Sequence, residues 1–256
     1  LMHLYEYRFK ELSSTGIRNS HYQSISRYCD VILVDSELGK TQLVDNYTLQ
    51  SKDKVKVLPF CVPESNLFRG SLTRLFSDLE GTEFIFYPAQ FWEHKNHKNL
   101  VLAFSRIVEV SPDIKLVLSG APKNSFEAIE ALVEELGLLN KIVFTGYIDQ
   151  HELSWLYQQC SVFVMASFCG PTNIPPLEAT FFGCALVVSD VYAHRYQCGD
   201  AALYFNPSSV DELFNQITKA RLPEQQKLMR EKSFKRSSLF TYKRFGSALR
   251  KLVSER

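Results

Sequence analysis

The chain has 256 residues and no excess of charge, with 29 Lys+Arg against 28 Asp+Glu and a formal net charge of +1. So even a balance excludes recognition of nucleic acid through a basic face. No window approaches the ~20 consecutive apolar residues that a bilayer-spanning helix needs. The opening residues LMHLYEYRFKEL carry His3, Glu6, Arg8 and Lys10 where a signal peptide is apolar, so they do not read as one. None of the six cysteines (Cys29, Cys61, Cys160, Cys169, Cys184, Cys198) forms a C-x-x-C pair, and no Cys/His cluster has zinc spacing, so no metal site is expected. Four of them sit in the contexts VLPFCV, QQCSVFV, FGCALVV and RYCDVILV, which predicts reduced, mostly buried thiols in a cytoplasmic protein. G-x-G-x-x-G and G-x-x-x-x-G-K-[ST] are both missing, which removes the best support for a dinucleotide oxidoreductase or a P-loop enzyme. There is no internal repeat and no low-complexity tract.

What is present is a globular composition, 45% apolar and 22% charged, long enough for a real core. An apolar run at 31–34 precedes Ser36, a candidate N-cap for a helix over 37–47, and a strand over 55–60 follows. Residues 65–82 read as a connector with some helix. From residue 83 the pattern is regular, with strands at 83–89, 114–120, 141–146, 161–167, 185–190 and 202–206. They alternate with helices at about 97–110, 125–137 and 150–160, from Pro175-Pro176, and at 209–221. Two basic amphipathic helices close the chain. Short apolar strands alternating with amphipathic helices predict a Rossmann-like, doubly wound parallel α/β sheet. Ligands of such sheets sit beyond the carboxyl ends of the strands, near a change in strand order.

Three loops at those ends carry polar chemistry. In FCGPTNIPPLEA (168–179) Gly170, Pro171 and Asn173 set up an irregular turn, and Pro175 and Pro176 suit a first helical turn. A helix N-terminus aimed into the crevice favours anions, and the prolines leave Thr172, Asn173, Ile174 and Leu177 as N–H donors. Glu178, read as part of that first turn, is suited to ribose hydroxyls rather than phosphate. In YPAQFWEHKNHKNL (87–100) Lys95 offers a point charge for a diphosphate, while Lys98, His94 and His97 read as surface or capping groups. In FTGYIDQHEL (144–153) Gly146 permits a tight strand exit, Asp149 or Gln150 starts a helix, and the backbone of Tyr147 and Ile148 can hold a flat base.

Together with SDVYAHRYQCGDAALYFNP (189–207), these segments resemble the nucleotide-sugar half of a family-4 glycosyltransferase of the GT-B type. That family's pattern runs from Gly-Arg and Glu-Lys-Gly to Glu-Gly-Phe-Gly-x-Pro-x-Leu-Glu-Ala and then Gly-Asp-Ala-Ala. The match spans about residues 83–210, and residues 21–64 resemble the end of the family's N-terminal domain. The resemblance implies an acceptor-domain remnant over 1–64, a linker over 65–82, a donor-binding domain over 83–240 and a bracing helix over 241–256. It also implies that most of the N-terminal domain lies before Leu1.

By the same resemblance Lys95 and Glu178 are the candidate catalytic pair, Lys95 on the donor diphosphate and Glu178 orienting the ribose without acting as acid or base. Gln90 stands where a partner arginine is usual, and Gly170 where a glutamate usually contacts the donor sugar. Gln90, Tyr147, Ile148, Gly170, Thr172, Asn173, Ile174, Leu177 and Glu178 form the expected substrate-binding set. The implied activity is metal-free, retaining transfer of a sugar, with mannose as the candidate, to a glycan or lipid-linked acceptor in polysaccharide biosynthesis, since the GPTNIPPLEA variant resembles a subgroup of bacterial polysaccharide mannosyl- or rhamnosyltransferases. The donor is expected to be a GDP-sugar, with UDP- and dTDP-sugars as alternatives, and no cofactor is expected. The basic C-terminal helices allow a peripheral contact with a membrane surface without demanding one. A nucleotide-binding or scaffolding module with little transferase activity is the competing reading, because Gly170 and Gln90 replace charged positions.

Overall fold

A computed structural model describes residues 1–6, 8–13, 15–62, 74–170 and 172–254. Two parallel sheets form. The small one pairs β1 (Ile32–Val34) with β2 (Val55–Val57). Helices α1 (Met2–Tyr5), α2 (Thr15–Tyr28) and α3 (Glu37–Asn46) pack around it. Ser36 caps α3 as expected, its hydroxyl accepting from the Gly39 N–H at 3.1 Å. The small core consists of Ile32, Leu43, Tyr47 and Val55, with Leu1, Leu4, Tyr22 and Ile25 against it.

The large sheet is built from strand–helix repeats. These are β3 (Phe84–Pro88), α4 (His97–Val110), β4 (Lys115–Ser119), α5 (Phe126–Glu135), β5 (Ile142–Gly146) and α6 (Gln150–Gln159). There follow β6 (Val162–Met165), α7 (Ile174–Phe182), β7 (Leu186–Ser189), α8 (His194–Cys198) and β8 (Ala202–Phe205). Then come α9 (Val210–Ala220), α10 (Pro223–Ser237) and α11 (Tyr242–Ser254). Its six strands run in the order β5-β4-β3-β6-β7-β8, every pairing parallel. Both faces are covered, so the strands are apolar without alternation, and Phe84, Ile85, Phe86 and Tyr87 are all buried. Helix α4 turns Leu100, Val101, Ala103, Phe104 and Ile107 into the core, the spacing of one helical face. The predicted doubly wound parallel sheet is the fold that forms.

This order puts the chain's reversal of direction between β3 and β6, with β4 on one side of β3 and β6 on the other. The loops after those two strands, 89–96 and the described residues 166–170 and 172–173, therefore flank one crevice. Gly120 lets the neighbouring loop close in. It has φ +151, and a Cβ there would lie 2.4 Å from the Ala89 carbonyl oxygen.

Several expectations change at this level. Residues 65–73, the first half of the 65–82 connector, lie outside the described residues, and the rest forms 3-10 turns over Arg74–Leu79 with Phe76 stacked on Trp155. Pro171 also lies outside them. The two closing helices differ. Helix α10 packs on α7 and buries Met229, whereas α11 buries no residue. The cysteines are free, but burial is uneven: Cys169, Cys184 and Cys198 are buried, Cys61 and Cys160 half-buried, and Cys29 exposed. The β1 run that follows Cys29 is only three residues long, too short to carry it into a core.

Candidate active site

The β3 loop ends in a tight turn. Asn96 takes a left-handed conformation (φ 61) at the start of α4, and its side-chain amide donates to the carbonyls of Ala166 (3.0 Å) and Pro207 (2.8 Å). Asn96 thus stitches the β3 loop to the β6 loop. The Tyr87 hydroxyl donates to the Lys95 carbonyl at 2.7 Å. So held, the Lys95 side chain runs toward the start of α7, where Nζ donates to Asn173 Oδ1 at 3.3 Å. Lys95 and the α7 N-terminus are therefore in direct contact at the carboxyl ends of β3 and β6.

Burial pulls the Lys95 pKa below its ordinary value. Among the described residues no carboxylate lies within ion-pair distance of its ammonium. The adjacent Cys169 cannot neutralise it, since burial pushes that thiol up to about 12. A desolvated cation without a counter-ion is costly unless an anion arrives.

The α7 N-terminus is narrower as an anion site than the sequence implies. The helix starts at Ile174 with Asn173 as N-cap, so Pro175 and Pro176 still fall in the first turn. The Asn173 N–H is already donated to Gln197 Oε1 at 3.2 Å, and Gln197 Nε2 donates back to the Asn173 carbonyl. Leu177 is the fourth helical residue, whose N–H closes the first turn. Its side chain is buried with Val62 and Phe240. Asn173 and Leu177 are therefore corrected as amide donors, and Thr172 and Ile174 are left to this turn. The Thr172 hydroxyl is spent on Asp35 Oδ2.

Glu178 falls in the second turn, not the first, because the helix begins ahead of the prolines. It is buried, and Oε2 accepts from the Tyr157 hydroxyl at 2.8 Å. Burial drives the Tyr157 pKa up, with the Glu178 charge adding to it, so this hydroxyl stays a donor.

The other candidates divide between crevice and core. Gln90 is exposed at the β3 loop, its Oε1 accepting from Trp92 Nε1 at 2.9 Å. Tyr147 is 91% exposed after β5, while the Ile148 side chain is buried in the main core. Asp149 caps α6 in a reciprocal capping box with Glu152. Lys98 is exposed as expected, but the histidines are not surface groups. His97 is buried and stacked on Phe91 at 4.3 Å between ring centroids, with neither ring nitrogen hydrogen-bonded among the described residues. Burial lowers its pKa to about 3. His94 is half-buried, and its Nδ1 lies 2.8 Å from Glu11 Oε1, which also accepts from the His94 backbone N–H at 3.1 Å.

That contact exposes what sequence reasoning missed. Glu6 and residues 8–11 lie across the rim of the crevice. Glu6 Oε1 accepts from the Tyr192 hydroxyl at 2.6 Å, Phe9 stacks on Phe168, and the Arg8 guanidinium sits 4.9 Å from the Phe168 ring centre. His194 and Gln197, both buried in α8, meet Asn173 from below. Local sequence carries no sign of the rim contacts. For α8 the sign was its polar, uncapped HRYQC beside an apolar strand.

A family profile described as "Glycosyl transferases group 1" matches residues 76–236. The chain belongs to the group 1 glycosyl transferases. One relative of this group 1 chain is a mannosylfructose-phosphate synthase of Agrobacterium fabrum, 25% identical over 98% of this chain and 57% of that protein. Another is the serotype-specific mannosyltransferase WbdA of Escherichia coli, 30% identical over 56% of this chain and 18% of that protein. The chain thus spans little more than half of the one and a fifth or less of the other. Among solved structures, Anabaena HepE in complex with UDP and glucose superposes with a TM-score of 0.82 at 14% identity, covering 96% of this chain and 69% of that one. Sucrose-phosphate synthase from Thermosynechococcus elongatus gives 0.79 at 20% identity, covering 94% and 62%. At these identities the likeness is one of fold, and it is the GT-B glycosyltransferase fold expected from the resemblance.

Among the described residues no helix is long and apolar enough to cross a membrane, and no group of His, Cys, Asp and Glu could hold a metal ion.

Proposed function

We propose that the protein transfers a sugar, with retention of anomeric configuration, from a nucleotide-sugar donor to a glycan or lipid-linked acceptor, and that this region binds the donor. The observation that carries the reading is the desolvated Lys95 ammonium at the switch point of the sheet, with no carboxylate paired to it among the described residues. Breaking the bond from the sugar's anomeric carbon to phosphate leaves negative charge on the diphosphate. Lys95 and the Thr172 and Ile174 amides would take up that charge, a preorganised arrangement whose single donors are worth about 10²–10³ in rate. The acceptor oxygen would form the new bond to the same face of that carbon, its proton passing to the departing diphosphate oxygen. Glu178, steadied by Tyr157, would orient the ribose, and the loop at Tyr147 and Ile148 would carry the base. The mannosyl names of relatives support mannose as the sugar and, with it, the GDP-sugar expected above, while HepE's UDP keeps a uridine donor in view.

Titration calorimetry of the full-length protein with GDP, UDP, dTDP and ADP, each beside its bare nucleoside, tests this. Lys95→Ala should weaken the preferred diphosphate far more than the nucleoside, and equal losses would refute the role of Lys95. Glu178→Gln should cost affinity for a ribonucleotide and less for its 2′,3′-dideoxy analogue.

The second reading, a nucleotide-binding module with little turnover, draws on two neutral positions. Gln90 is engaged with Trp92, and Gly170 presents no side chain. Tight donor binding without transfer or hydrolysis by the full-length protein would favour it.

A further inference from the structure

Behind Lys95 runs a chain of hydrogen bonds whose direction can be worked out link by link. It starts at the Ser189 carbonyl, at the end of β7, with His194 Nδ1 at 2.9 Å. A carbonyl only accepts, so Nδ1 carries the proton. Burial, reinforced by the charge of Lys95, holds the His194 pKa down at about 4, against the opposing pull of the Ser189 backbone and Asp190. The ring is therefore neutral near pH 7, and Nε2 is an acceptor. The Asn173 side-chain nitrogen Nδ2 lies 2.6 Å from it and must donate. That turns Asn173 Oδ1 the other way, to accept from Lys95 Nζ. Reversing the amide would set Oδ1 against the His194 lone pair and an N–H against the Lys95 ammonium, so one tautomer fixes the whole chain.

The surroundings lock it further. His194, Gln197 and Ser189 are buried, and Asn173 is 9% exposed. Gln197 grips both the N–H and the carbonyl of Asn173. On the remaining side stands Gly170, with φ +143, where a Cβ would lie 2.5 Å from Asn173 Nδ2. The missing side chain at 170 is therefore the space that the Asn173 amide occupies.

We infer that His194 is a positioning residue: acting through Asn173, it sets where the Lys95 ammonium stands and hence how tightly the donor diphosphate is held. This rests on the donor-site reading above. The carboxamide holds Lys95 in place without cancelling its charge, as a carboxylate at 173 would.

The test is calorimetry on the full-length protein, comparing GDP with guanosine and UDP with uridine. Wild type should bind a diphosphate more tightly than its nucleoside. His194→Phe fills the ring's space without the acceptor. It should erase at least tenfold of that preference while nucleoside affinity stays within about twofold. His194→Gln, whose carboxamide can accept from Asn173 and donate to Ser189, should restore most of it. Gly170→Ala, pressing on Asn173 from the opposite side, should give the same selective loss and covers the case of a poorly folding His194→Phe. A preference that survives both His194→Phe and Gly170→Ala, or nucleoside and diphosphate affinities falling together, overturns the relay alone. A wild type with no preference overturns the donor-site reading and the relay with it.

Discussion

The two sheets make a natural comparison. The large one buries six strands under helices on both faces, and its core runs unbroken from Phe76 to Met229. The small one has two strands of three residues and a core of four buried side chains. What joins them is largely polar and lies near the site: Glu11 on His94, Glu6 under Tyr192, Asp35 beneath Thr172, with Phe9 on Phe168 and Val62 against Leu177 and Phe240 as apolar contacts. Apolar burial dominates the large unit, whereas the small unit buries far less and meets the rim of the site through a few directional contacts.

The largest effects should separate the two cores. Phe86→Ala, in the middle of β3, should cost about 3–5 kcal/mol of global stability, read from urea unfolding. Leu43→Ala should cost less, toward the low end of about 2–5 kcal/mol, and should strip hydrogen-exchange protection from α3, β1 and β2 alone. Loss of protection throughout the large sheet in Leu43→Ala would mean that the two units fold as one.

Acid should act mainly on the large unit. Burial holds His97 and His194 at about 3 and about 4, against an ordinary 6.5. As pH falls below 6.5 the unfolded chain takes up protons that the folded rings refuse, so stability declines with falling pH. The His194 share levels off near pH 4, where its folded ring protonates. At pH 5 each ring should cost about 2 kcal/mol. His97→Phe should flatten the dependence of the urea midpoint on pH between 7 and 5, and an unchanged slope would remove His97 from the account.

Smaller effects should sharpen the joint. Glu11→Gln removes a charge-assisted contact with His94 and should cost about 1.5–3 kcal/mol at most, seen as faster exchange of the His94 amide with the large sheet unmoved. The smallest is a pair of caps. Ser36→Ala in the small unit and Asp149→Ala in the large one should each cost about 1 kcal/mol. If the units melt separately, each change shifts only its own transition.

Much of the fold was legible along the chain because parallel strands buried on both faces spell continuous apolar runs, and helices such as α4 repeat at their own period. A helix start at Asp149 or Gln150 and prolines in the first turn of α7 were readable for the same reason, since they rest on contacts between near neighbours. The site was legible only in part. Lys95 and the start of α7 were found as motifs, but Glu178 was placed a turn too early because the prolines, not Asn173, were taken to mark the helix start. His94 and His97 read as surface or capping groups, since polarity alone does not show that Phe91 stacks on the His97 ring and Glu11 holds His94.

Local sequence therefore determined the elements, their order and the chemistry displayed at the crevice, because propensity, capping and periodicity act over a few residues. Tertiary structure decided which of those groups are in use. Gln197 reaches the Asn173 backbone across 24 positions, Asn173 reaches Lys95 across 78, and Glu11 reaches His94 across 83. Hydrogen bonds between such distant residues exist only once the sheet has brought its carboxyl ends together, and there they settle which donors are already engaged.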